Sequence, residues 1–149
     1  MISEFRLIED FQIGALGGMD VAVIACMTNP KADELKARTK RFALETLSFR
    51  CALPATDEAA DIGRQLSRSA TGVAANYRAA CRSRSDAEFV ARIGVVLEEA
   101  DESAFWLEIV TEGGISKQLQ ALALLEEANQ LTAIFAASSI TARRRTNLK

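Results

Sequence analysis

No proline follows Pro54, so the rest of the chain, to Lys149, keeps every backbone N–H available for hydrogen bonding. The β-branched runs bounded by Gly or Asn turns that announce strands are also missing. A chain punctuated this way folds into helices. Pro30, the other proline, follows Asn29, which places it at a first helical position, where its missing N–H costs nothing. With 49% hydrophobic but only 6% aromatic residues and much Ala, the composition suits helices packed closely together rather than a β-sandwich.

End signals divide the chain into four helical segments. Asn29 caps the first, predicted over 30–53, in which Leu35, Phe42, Phe49 and Leu53 share a face until Pro54 stops it. Thr56 or Asp57 caps the second, over 57–82, with acids at the positive end of the helix dipole. Ser85 and Glu88 form a capping box for the third, over 86–112, which Gly113 and Gly114 end. Ser116 caps the fourth, over 117–143, whose basic end at Arg143–Arg145 suits the negative pole; residues 146–149 are a tail. Long segments joined by links of about three to five residues make consecutive helices antiparallel neighbours. The expected fold is all-α, an antiparallel up-down-up-down four-helix bundle over 29–145, in one domain.

Residues 1–28 differ in texture, acidic first and then Gly-rich and apolar, with four acids against Arg6. The acidic start and Asp20 exclude a signal peptide, and the stretch is too broken to span a bilayer. It reads as a disordered extension or, with translation starting at Met27, as no part of the protein; the rival is an extra element packed on the bundle. The net charge of −2 argues against bulk attraction to nucleic acid or membrane. Cys26, Cys51 and Cys81, without a C-x-x-C, suit a reducing cytoplasmic compartment and are expected to be small buried hydrophobes.

The chain has no histidine. That removes a Ser-His-Asp triad, a histidine general base, zinc sites using His, and the Glu-x-x-His pairs of di-iron bundles. Glu98, Glu99, Asp101 and Glu102 lie on one helix without converging ligands from its neighbours, and Ser69 and Thr71 lack a base. No catalytic, metal or cofactor site is expected, and the chain reads as a non-enzyme.

Two faces remain to be explained. Between Arg64 and Ser85 the sequence holds five arginines and no acid. At 100° per residue, Ile62, Leu66, Ser69, Val73, Asn76, Tyr77 and Ala80 turn inward, with Asn76 and Tyr77 expected to close a buried hydrogen bond between helices. Arg64, Arg68, Thr71, Ala75, Arg78 and Arg82 turn outward, with Arg84 just beyond. In the third helix Ile93, Leu97, Ala100, Ala104 and Leu107 form a core stripe. Val95, Phe105, Trp106 and Ile109 fall on the far side, interleaved with Glu98, Glu99 and Glu102. A helix apolar on both faces needs two partners. Burying Phe or Ile contributes roughly 1.5–3 kcal/mol, and an exposed ion pair about 0–1 kcal/mol. Aromatic groups would therefore drive self-association while Arg–Glu pairs set its register. The alternative is that the arginines are a solvated face and the N-terminal segment covers Trp106.

Gln65–Val110 resembles the bacterial four-helix-bundle proteins first named for open reading frames inside ribosomal-RNA intervening sequences. The matching elements are Arg68–Thr71, Asn76, Arg82–Ser85, Glu88–Phe89 and the Glu-rich Glu98–Glu102, with looser similarity from Arg41 to Arg143. The resemblance implies a bundle that assembles as a homo-oligomeric ring, typically a pentamer, and implies no established activity. A related branch, the accessory proteins of diversity-generating retroelements, is ring-forming and basic and is thought to hold nucleic acid and a reverse transcriptase; this chain is nearly neutral. The readings carried forward are a scaffold or protein-interaction role and, as the alternative, non-specific RNA or DNA contact through Arg64, Arg68, Arg78, Arg82 and Arg84.

Overall fold

Small and apolar side chains recur at alternating intervals of three and four, the repeat that holds one helix face toward a common core. In the computed structural model, which describes residues 30–116 and 119–147, this repeat builds four helices in the order α1 (Pro30–Cys51), α2 (Asp57–Ala80), α3 (Asp86–Glu112) and α4 (Leu119–Asn147). No strand occurs among the described residues. The fold is the expected all-α four-helix bundle. The N-terminal extension, with Cys26 and the Asn29 cap, lies outside the described residues, as do residues 117–118 after Ser116 and the last two of the tail.

On α1 the buried positions are Ala32, Thr39, Phe42, Ala43, Thr46 and Phe49. Thr39 and Thr46 occupy heptad positions between the large groups that sequence reading picked out. On α4 the same spacing carries Ala121, Leu124, Ala128, Leu131, Phe135, Ser139 and Ala142 inward. On α3 the fully buried set is centred on Val96, Ala100, Ser103, Leu107 and Val110, while Leu97 is only half-buried. The core stripe is thus rotated slightly from the expected one.

The helix ends follow local chemistry. The Thr56 hydroxyl accepts the Ala59 N–H, and the Ser85 hydroxyl accepts the Glu88 N–H. Glu88 reaches back one residue further than a capping box requires, to the Arg84 N–H at 2.9 Å. At the end of α3, Gly114 takes a left-handed φ of 68°, Gly114 N–H bonds to Thr111 and Ile115 N–H bonds to Val110. That pairing is a Schellman motif, with Ile115 packed on the core. α1 stops at Cys51, two residues short of its expected end, α2 ends at Ala80, and α4 runs on to Asn147.

α3 packs against both α2 and α4, α1 lies against α2, and α1 meets α4 only lightly. α2 is lined with small groups, so it sits close to its neighbours: a side chain at Gly63 would press on Arg50 and Leu53 at the end of α1. Tyr77 stacks obliquely on Phe135, with ring centroids 5.3 Å apart. Across the thin α1–α4 seam, Arg38 forks onto Glu127, its Nε donating to Oε1 at 2.7 Å and its Nη2 to Oε2 at 2.9 Å, and Nη2 also reaches Gln130 Oε1 at 2.7 Å.

Two expectations change. The Asn76 side chain does not bridge helices; its amide donates to Gly72 O on its own helix. An interhelical bond between α2 and α3 joins Ser103 Oγ to Ser69 Oγ at 3.0 Å. Cys81 is buried, but Cys51 is exposed, because α1 ends there and turns its last residue off the core.

Candidate functional site

The outward side of α2 is laid down by the helical repeat that buries Leu66, Val73 and Tyr77: Arg64, Arg68, Thr71, Ala75, Arg78 and Arg82 are all exposed. Arg64 pairs with Asp61 one turn earlier, and Arg84, beyond the helix, pairs with Glu88 at 3.6 Å. Among the described residues, Arg68, Arg78 and Arg82 make no ion pair. Arg78 and Arg82 therefore stay uncompensated, while the charge of Arg68 acts on Glu99.

Between α1 and α2 lies an open groove enclosing about 530 Å³. Its floor is alanine and the aliphatic groups Leu44 and Leu47, which are 56% and 38% exposed. Lys36, Lys40, Arg78 and Arg82 border it, and no acid does. Lys36 is partly neutralised by Asp33 at 2.9 Å. Because α1 and α2 run antiparallel, the four cations gather at one end of the groove and the leucines toward the other. Sequence reading found the arginine half of this surface and missed the α1 half, since only the packing of the two helices brings it into register.

The outer face of α3 has the opposite sign. Val95, Phe105 and Ile109 are 40%, 49% and 36% exposed, and Glu98 and Glu102 are exposed among them. Trp106 is half-buried: it packs on the edge of the core, donates Nε1–H to Glu102 Oε1 at 3.1 Å and meets Phe105 edge-on at 5.0 Å. The rotated core stripe draws the indole inward. Glu99 also leaves the outward set. Its carboxylate lies over Gly72 of α2, where any Cβ would collide with it. Burial first, and then the charge of Glu102, push the Glu99 carboxyl above the usual carboxylate range, while Arg68 pulls the other way. Glu88 is held below that range, chiefly by the Arg84 N–H and then by Arg92.

Among the described residues, no three His, Cys, Asp or Glu groups converge as metal ligands, and no helix is long and apolar enough to cross a membrane. The site is a pair of charged, partly apolar faces.

Among curated proteins none matches this chain. A solved structure from Bacteroides thetaiotaomicron, described as a protein with unknown function from the S23 ribosomal protein family, superposes with a TM-score of 0.64 at 22% identity over 70% of this chain and 96% of that one. That likeness shows the bundle. The model of the 23S rRNA-intervening sequence proteins matches residues 33–137, from the first turn of α1 into the second half of α4. The span takes in both faces, the groove and the core between them, and the chain belongs to the 23S rRNA-intervening sequence protein family.

Proposed function

We propose that the protein is a non-enzymatic scaffold that self-associates through the outer face of α3, as a ring of the kind the family resemblance implies. The observation that carries this reading is the exposure of Phe105, Val95 and Ile109 together on one helix flank, bordered by Glu98 and Glu102. Side chains of this size left in water on a folded bundle mark an interface. Phe105, half exposed, supplies more new burial than Trp106, whose indole is already partly covered by its own chain.

The test is mass in solution by light scattering. The wild-type chain is expected to exceed the single-chain 16.2 kDa, and Phe105→Glu is expected to return to it with its helical signal intact. A wild-type monomer at all concentrations would defeat the reading.

A second reading is favoured by one observation: the cations Arg78 and Arg82, which make no ion pair among the described residues, border the groove together with Lys40. Repeated by symmetry, such a strip would track a phosphate backbone without reading bases. Affinity for short RNA or DNA that collapses as salt rises supports it, and no binding at low salt removes it.

A further inference from the structure

The acidic flank of α3 and the basic groove of α1–α2 carry the same pattern in opposite sign. Along α3 the exposed Val95 leads, the acids Glu98 and Glu102 come next, and the larger exposed apolar groups Phe105 and Ile109 follow. Along α1 the cation Lys40 comes first and Leu44 and Leu47 follow, while antiparallel α2 brings Arg78 and Arg82 to the cationic end. Glu98 to Ile109 spans about 16 Å of helix, and Lys36 to Leu47 the same, about 16 Å. No residue belongs to both surfaces.

We infer that the α1–α2 groove is the receptor for the α3 flank of a second copy of this chain, with the incoming α3 running parallel to α1. The inference rests on the self-association proposed above and adds to it the partner surface and the direction. In that register Glu98 and Glu102 meet Lys40, Arg78 and Arg82, and Phe105 and Ile109 cover Leu44 and Leu47. The reverse direction sets the acids on leucines and the aromatic ring among ammonium and guanidinium groups, leaving charges desolvated without partners. Two different patches of one chain then join head to tail, so each copy keeps one donor flank and one receptor groove for further neighbours.

The geometry is tested by complementation. A flank variant, Phe105→Glu, and a groove variant, Leu44→Glu with Arg78→Glu, alter exposed side chains and are checked for unchanged helical signal and melting. Each alone is expected to have single-chain mass, with self-association weakened at least about tenfold. Mixed in equal amounts they are expected to form a heterodimer, because the intact flank of one meets the intact groove of the other. Charge exchange fixes direction: the loss caused by Lys40→Glu, Arg78→Glu and Arg82→Glu together is expected to be restored by Glu98→Lys with Glu102→Lys.

A groove variant that assembles like the wild type overturns the inference and leaves the α3 flank pairing with some other surface. Two monomeric variants that fail to combine overturn it as well. A groove variant of wild-type mass that loses affinity for short RNA assigns the groove to nucleic acid instead. A wild-type monomer overturns both this inference and the reading beneath it.

Discussion

Thr46 is fully buried and its hydroxyl has no hydrogen-bond partner among the described residues. Burying an unpaired hydroxyl costs about 1–3 kcal/mol, so Thr46→Val should raise stability by about 1 kcal/mol, read as a higher melting temperature; a drop would mean the hydroxyl is satisfied. Glu99 offers a pH test. Its folded pKa is raised, so below the ordinary carboxylate value both folded and unfolded chains hold the proton and its burial costs nothing. As pH climbs from that value to the raised one, the unfolded chain loses its proton first and the fold weakens. Glu99→Gln should melt higher than the wild type at neutral pH, and the gap should narrow in acid. An equal gap at every pH would assign the effect to packing. At this scale the sequence was partly readable: periodicity turned Leu66 and Val73 inward and Arg78 outward. It could not show that Gly72 makes room for the Glu99 carboxylate, because that meeting depends on how closely two helices approach.

Caps, glycine pairs and apolar repeats fix helices locally, which is why four elements and their order were legible and why Thr56, Ser85 and Gly114 end them as expected. The phase of α3 was less legible. Of the expected stripe Ile93, Leu97, Ala100, Ala104 and Leu107, all but Leu97 are buried, but Val96, Ser103 and Val110 are buried beside them and were passed over. On α1 the search for large groups passed over Thr39 and Thr46. Gly94, inside α3, shows no constraint that demands glycine: a methyl group there meets nothing within 4 Å. Gly94→Ala should therefore stabilise the helix by about 1 kcal/mol, measured by denaturant unfolding. A loss instead of a gain would point to a neighbouring molecule packed on that spot.

Within the whole bundle, α3 holds its two neighbours tightly, and α1 is the helix with the thinnest second contact. The Arg38–Glu127 fork crosses that seam, and its two side chains are 27% and 26% exposed, so their pairing is better shielded than a surface ion pair. Glu127→Ala should cost about 1–2 kcal/mol, and hydrogen exchange should quicken along α1 before it does along α3; uniform quickening would mean the bundle opens as a unit. Long-range seams of this kind join residues 89 positions apart, which no local pattern reveals. Under the flank-to-groove docking inferred above, the seam also governs valency. With α1 frayed from its seat, a subunit still offers its acidic flank but can receive none, and so it terminates whatever string of copies it joins.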